Sequence, residues 1–285
     1  MMKTKFFILF FIFLPFSAWG KIMIVAAENT YAQVAQRLGG DFVSVSSLMS
    51  RPNQDPHLFN ATITQAKALT KADIIVFNGA GYDTWIQPLL LDNNNKNHQH
   101  IINVSKLMPE ISGNPHLWYD ARTLARFAHA LTTLLKKQDP AHADYFDQQL
   151  KLFLNDYQKI TIFLLEMKKH AKDKTVLLTE TLFEPTANQL HLKIAGIGFA
   201  KNITNENSPT PSEIIEFEKT IETHRAHILI YNLQMQTPLI EHMKTKALQY
   251  QLPTVGISET QTLNEDYITW MLKQLRPIDL ALRNQ

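Results

Sequence analysis

The chain has 285 residues, of which 45% are hydrophobic, and a formal net charge of only +2. A near-neutral chain without a basic stripe argues against a nucleic acid or an anionic membrane surface as partner. The chain has no cysteine. Disulfides and lipid attachment at a cysteine are therefore excluded, and the fold must be stabilised by its core, a partner or a metal.

The first residues of the chain have the layout of a cleaved secretory signal. Two lysines precede an apolar run from Phe6 to about Phe16, and small residues follow up to Gly20. The run is shorter than the roughly 20 residues of a membrane span, so a retained anchor is the less favoured alternative. We expect residues 1–20 to be a signal peptide and the exported chain to begin near Lys21.

After this segment, β-branched runs alternate with helical patterns. Strands are predicted for 21–28, 42–49, 73–79 and 100–106, and helices for 30–40 and 62–72. Such alternation indicates βα units around a mostly parallel sheet. We therefore predict a first α/β lobe over 21–138. Within it, the Asn-rich run at 92–100 is expected to be an exposed loop, whose His98 and His100 could bind metal weakly but are better interpreted as ordinary loop residues.

A long helix is predicted for 139–172. Its apolar residues follow a 4-3-4-3-4-3 spacing, which places them along one helical face. They are Phe146, Leu150, Phe153, Tyr157, Ile160, Leu164 and Met167. Because no Gly or Pro interrupts residues 141–174, one rigid helix that bridges two lobes is favoured over two shorter helices.

The alternation resumes after this helix. Strands are predicted for 175–180, 226–232 and 253–258, and helices for 208–224, 237–251 and 265–282. These elements predict a second α/β lobe over 173–285. The expected fold class is therefore α/β, with two lobes, each a mostly parallel β-sheet flanked by helices, joined by one long rigid α-helix.

Two similar runs in the first lobe contain a histidine. His57 in "QDPHLFN" and His116 in "GNPHLWYD" each follow Pro and precede Leu and an aromatic residue. Each run comes after a predicted strand. Ligands of open α/β sheets bind outside the carboxyl ends of strands, so the two imidazoles can converge there. As single residues, both could equally be hydrogen-bonded structural histidines.

The second lobe has two carboxylates in comparable places. Glu180 ends one predicted strand and Glu259 follows another. Each could instead be a favourable charge at a helix N-terminus. Together with His57 and His116, they would complete the first coordination shell of one divalent transition metal ion.

Several segments carry a family resemblance over nearly the whole exported chain. In order they are "VAAENTYAQVAQRLGG", "PNQDPHLFNATITQAKALTKADIIVFNGAGYDTW", "NPHLWYD", "SPTPSEIIEFEK", "ILIYNLQ" and "LPTVGISETQT". With these segments the chain resembles the solute-binding proteins of bacterial ABC importers for zinc and manganese. The resemblance implies two lobes joined by a rigid helix, one metal ion in the cleft, a periplasmic location and delivery to a membrane ABC permease.

The resemblance also assigns the ligands. His57 and His116 match the family's first two histidines. Glu180 stands where zinc-type members often have His and manganese-type members have Glu, and Glu259 stands at the last acidic ligand, frequently Asp. The chain lacks the long His- and Asp-rich loop of many zinc-type members. Carboxylate oxygen suits Mn²⁺ or Fe²⁺, yet zinc should bind tightly whatever the natural cargo, so the choice between Zn²⁺ and Mn²⁺ stays open.

Two other functions stay open: a metal-dependent hydrolase, and an adhesion protein with a structural metal. Four protein ligands leave zinc no position for a catalytic water, so we expect that the protein is not an enzyme. We also expect a monomer.

Asn78, Asp120 and Tyr231 are candidates to orient the histidine rings. Trp118, beside His116, is expected to shield the cleft from water.

Overall fold

The computed structural model describes residues 20–49, 59, 61–91, 99–111, 113–261 and 265–284. Residues 1–19 of the predicted signal peptide, His57 and His98 lie outside these ranges. Within them, no helix combines the length and the apolar character that crossing a membrane requires.

The first lobe contains a four-stranded parallel sheet in the order β2-β1-β3-β4. Its strands are β1 (Ile22–Glu28), β2 (Val43–Met49), β3 (Ile74–Phe77) and β4 (His100–Asn103). Its helices are α1 (Asn29–Gly39), α2 (Ile63–Lys71), α3 (Ile86–Leu91) and α4 (Thr123–Gln138). β1 and β3 are almost entirely buried, as expected for central strands covered by helices on both faces.

The second lobe repeats this arrangement with the order β6-β5-β7-β8. Its strands are β5 (Thr175–Leu178), β6 (Lys193–Ala195), β7 (Ile228–Asn232) and β8 (Thr254–Ile257). Its helices are α6 (Glu184–Gln189), α7 (Ile197–Thr204), α8 (Pro211–Glu222), α9 (Pro238–Gln249) and α10 (Tyr267–Arg283), and α5 (Ala143–Ala171) precedes the lobe. In each sheet the chain adds its second strand on one side of the first strand and its later strands on the other side. The strand order therefore switches between β1 and β3 and between β5 and β7, and ligands of open α/β sheets bind at such a switch point.

Helix α5 runs without interruption for 29 residues, about 44 Å. Six of the seven residues in its predicted apolar stripe are buried, and Leu150 is half-buried. One hydrophobic core contains this stripe together with Ile24 of the first sheet and Val176 of the second. The helix is therefore packed into a core that both lobes share.

The predicted fold class is confirmed, and five elements were not predicted: β6, α3, α4, α6 and α7. β6 has only three residues at a sheet edge, too few to give a period-two signal. α6 and α7 have six and eight residues, less than the length at which a helical period becomes clear. Like α6, α3 has only six residues. α4 was detectable, because its buried residues recur at helical spacing. They are Leu124, Phe127, Ala128, Leu131 and Leu135.

Candidate metal centre

Three of the four predicted ligands lie together between the lobes. His116 precedes a short 3-10 helix of the first lobe, Glu180 follows β5, and Glu259 follows β8. They are only 2%, 6% and 9% exposed, respectively. The fourth predicted ligand, His57, lies outside the described residues. The structure therefore brings one imidazole and two carboxylates to one buried place.

Glu259, in the second lobe, contacts two residues of the first lobe at this site, His116 and Tyr82. Its Oε1 lies 3.7 Å from His116 Nε2. The same oxygen accepts a hydrogen bond of 3.0 Å from the Tyr82 hydroxyl. Burial, followed by the nearby Glu259 and Glu28 carboxyls, raises the pKa of Tyr82 well above its usual range, so the hydroxyl keeps its proton and can donate it.

Asn232, the last residue of β7, holds the two carboxylates side by side. Its Nδ2 donates to Glu180 Oε2 at 2.7 Å and to Glu259 Oε2 at 3.0 Å. Because an amide NH₂ has two donors, both are used, and two acidic groups that would repel each other are kept at the same site. The Glu259 backbone is fixed as well, since its N–H donates to Gln234 Oε1 at 2.7 Å.

Asn114 sets the orientation of the His116 ring. Asn114 Nδ2 donates to Thr181 O at 2.9 Å and to Glu184 Oε2 at 2.8 Å, which fixes the orientation of the amide. Its Oδ1 therefore faces His116, where it accepts from the backbone N–H at 2.9 Å and lies 3.2 Å from Nδ1. Since this oxygen can only accept, Nδ1 is the donor of this contact, and Nε2 is the ring nitrogen that faces Glu259.

We expect Asn114→Ala to weaken metal binding by about 10- to 100-fold, because groups that orient a ligating histidine have effects of this size. The measurement is a competition titration with a metal indicator on the purified protein. Asn188→Ala, at an exposed position of α6, is the matched control and should bind like wild type. An affinity of Asn114→Ala within a factor of about two of wild type would contradict the orienting role.

An aromatic wall closes one side of the site. The Trp118 ring meets the His116 ring edge-on at 5.7 Å between centroids and the Tyr82 ring at 4.7 Å. Trp118 is buried, in agreement with the expected shielding from water. A site with little water strengthens electrostatic interactions with a bound cation.

Among the described residues, no group of three or more His, Asp or Glu side chains is already arranged as a metal cluster. The hydrogen bonds explain this, since Asn232 lies between the carboxylates of Glu180 and Glu259. The site is assembled, but its oxygens are bonded to Asn232 and Tyr82 rather than directed at one common point.

Of the three side chains expected to orient the histidine rings, only Asn78 contacts the loop that carries His116. Asn78 donates to the carbonyl of Pro115 at 2.8 Å, next to His116, and so supports this loop. The prediction is wrong for Asp120 and Tyr231 as partners of His116, because both side chains contact other residues. Asp120 binds the Arg122 guanidinium at 2.6 Å, and Tyr231 lies under the Lys244 ammonium at 4.6 Å.

Asn114, Tyr82 and Asn232 were not predicted from the sequence, although Asn232 ends a strand in the same way as the predicted ligands. His100 begins β4, so it lies at the amino end of the sheet, away from this site.

Comparisons with known proteins agree with this arrangement. The model of the ZnuA family, described as zinc-uptake complex component A, periplasmic, matches residues 24–281. The chain belongs to this family. ZnuA-family relatives include the manganese-binding lipoprotein MntA of Bacillus subtilis, 26% identical over 190 residues, which are 64% of this chain and 62% of MntA. The match thus spans less than two thirds of that relative.

A second relative matches over more of its length. The manganese ABC transporter substrate-binding lipoprotein PsaA of Streptococcus pneumoniae is 23% identical over 280 residues, or 90% of this chain and 88% of PsaA. Among solved structures, the periplasmic zinc-binding protein TroA of Treponema pallidum superposes with a TM-score of 0.77 at 17% identity, covering 92% of this chain and 99% of TroA. This likeness confirms the two-lobed fold. The relatives of this ZnuA-family chain are thus solute-binding transport proteins.

Proposed function

We propose that this ZnuA-family chain captures one divalent transition metal ion, Zn²⁺ or Mn²⁺, in the periplasm and delivers it to a membrane ABC permease. The single observation that carries the proposal is the burial of His116, Glu180 and Glu259 together between two lobes. Burial of a charged side chain is costly unless the charge is paired or coordinates a metal. A buried cluster of one imidazole and two carboxylates therefore favours a metal-binding role.

The proposed first shell consists of His57, His116, Glu180 and Glu259. Two imidazole nitrogens and two carboxylates are donors that both Zn²⁺ and Mn²⁺ accept. On binding, the carboxylates exchange hydrogen bonds from Asn232 and Tyr82 for bonds to the ion. These neighbours keep the acidic groups in place while no ion is bound, so little reorganisation is needed when one arrives.

The domain organisation that accompanies this proposal is the one expected from the sequence. Residues 1–20 form the signal peptide, 21–138 and 173–285 form the lobes, and 139–172 form the linking helix. We propose that the exported chain is a monomer, and that it is a carrier rather than an enzyme, because four protein ligands leave a bound Zn²⁺ no open position for a catalytic water.

A structural metal in an adhesion protein is the alternative that metal removal tests. If the ion is cargo, the chelated protein should stay folded and rebind the ion, and reloading at about 1,000 times Kd should add about 4 kcal/mol to the free energy of unfolding. The measurement is a thermal melt of the chelated and reloaded forms, followed by far-UV circular dichroism. Loss of the helical signal on chelation would contradict the carrier and support a structural metal.

The proposed function is tested in cells by growth of a deletion strain under separate zinc and manganese starvation. We expect a growth defect under one of the two conditions, rescued by the wild-type chain and not by His116→Ala. Equal growth of the deletion and parent strains under both conditions, in a strain with no second importer for that metal, would contradict the proposal.

A further inference from the structure

Besides Glu180 and Glu259, a further buried carboxyl lies near the candidate metal centre and has no role in the site described above. Glu28, the last residue of β1, is only 7% exposed, and neither of its carboxylate oxygens has a hydrogen-bond partner among the described residues. Buried carboxyls are normally paired with donors or cations. Glu28 therefore lacks the partner that its position requires.

The local structure does not supply a structural role for this side chain. Glu28 is the N-cap residue of α1, but its side chain accepts no hydrogen bond from the first turn of that helix. The neighbouring charged group is the Asp83 carboxyl, which accepts the N–H groups of Asn78 and Gly79. It offers Glu28 at most a shared proton and no positive charge. Burial and this neighbour raise the pKa of Glu28 well above its usual range.

A small cavity lies between Glu28 and one of the candidate ligands, Glu259. It has a volume of about 20 Å³ and lies between the lobes, lined by Glu28 and Tyr82 from the first lobe and by Glu259 and Gln261 from the second. This volume is about that of one water-sized sphere, so the cavity has room for a single ion or water. Glu28 and the proposed ligand Glu259 thus border the same one-ion space from opposite lobes.

The strand register gives an independent argument. In the first sheet the last pair between the central strands is Ala26 with Val76, and in the second it is Leu178 with Ile230. Two residues further along, the chain carries Glu28 and Asn78 in the first lobe, and Glu180 and Asn232 in the second. Glu28 therefore occupies, in its sheet, the position that the proposed ligand Glu180 occupies in the other.

We infer that Glu28 is a further metal-facing carboxylate, which contacts the captured ion from the first lobe and favours Mn²⁺ over Zn²⁺. The inference rests on the proposed function. The preference follows from coordination chemistry: Mn²⁺ suits carboxylate oxygen and takes six ligands, whereas Zn²⁺ is satisfied by four. A fifth protein ligand with an oxygen donor thus adds more to the binding of Mn²⁺.

The test compares Glu28→Gln and Glu28→Ala with wild type in separate Mn²⁺ and Zn²⁺ titrations of the full exported chain. We expect the Kd for Mn²⁺ to rise at least about 10-fold in both variants and the Kd for Zn²⁺ to change less than about threefold. The electron paramagnetic resonance spectrum of bound Mn²⁺ should also change, because an oxygen ligand is lost. Glu166→Gln, which removes one exposed carboxylate from α5, is the matched control and should bind both ions like wild type.

Thermal melts of the metal-free proteins separate a ligand from a structural residue. Since Glu28 has no donor partner, Glu28→Gln should melt at or above the wild-type temperature. Equal weakening of Mn²⁺ and Zn²⁺ binding, or unchanged binding of both, would overturn the inference while leaving the proposed function intact. Failure of wild type to bind either ion would instead overturn the proposed function, and the inference with it.

Discussion

Replacement of His116 by Ala should lower the affinity for Zn²⁺ and Mn²⁺ by more than about 100-fold. The loss should exceed the 10- to 100-fold effect of outer residues, because the imidazole itself is proposed to bind the ion. The contact of Nδ1 with Asn114 leaves Nε2 facing Glu259, and the substitution removes this nitrogen from the site. Titration against a fluorescent chelator of known affinity measures the effect for each ion.

The chain offers a matched control for this substitution. His129 is exposed on α4, and His129→Ala should leave both affinities unchanged. A melt of the metal-free variant checks that the loss comes from the missing ligand and not from unfolding, since His116 is buried. If folded His116→Ala binds both ions as tightly as wild type, the proposed first shell is wrong.

Trp270→Ala should reduce the free energy of unfolding by about 3–5 kcal/mol, the usual cost of removing a buried aromatic side chain. Trp270 of α10 is 1% exposed, and its ring packs against Tyr119 at 5.8 Å between centroids. Its indole N–H also donates to Ser258 Oγ at 2.9 Å, directly before Glu259 in the chain. Urea unfolding at equilibrium measures the loss.

Two further variants separate the contributions at this position. Trp270→Phe keeps most of the packing and loses the hydrogen bond, so it should cost about 2 kcal/mol. Leu280→Ala removes a side chain that is 62% exposed on the same helix and should change stability by less than about 0.5 kcal/mol. A loss below about 1 kcal/mol for Trp270→Ala would show that the core relaxes around the cavity.

Much of the fold was predictable because it depends on periodicity over long windows. The 29-residue helix α5 has one apolar stripe, and the central strands β1, β3, β5 and β7 are short, largely buried runs between turns. The prediction failed for β6, whose three residues at a sheet edge are stabilised by pairing with β5 rather than by their own pattern. Pairing of this kind is a tertiary interaction that local sequence does not encode.

The site was predictable only in part, for a related reason. His116, Glu180 and Glu259 stand at strand ends or in a repeated motif, which local sequence shows. The positions of Asn114 and Asn232 depend on contacts across 70 and 52 residues of chain, and such contacts have no local signature. Glu28 did have a signal, because its predicted strand ends in "VAAE" much as the predicted strand over 175–180 ends in "LLTE".

The continuity of α5 limits how this protein can change in length during evolution. One residue inserted into an α-helix turns everything beyond it by about 100° and shifts it by about 1.5 Å. Because one face of α5 packs along the length of the helix into the core shared by both lobes, such a change would move one half of the site away from the other. Homologous chains should therefore differ in length in their loops, while the count of residues between Ala143 and Ala171 stays constant.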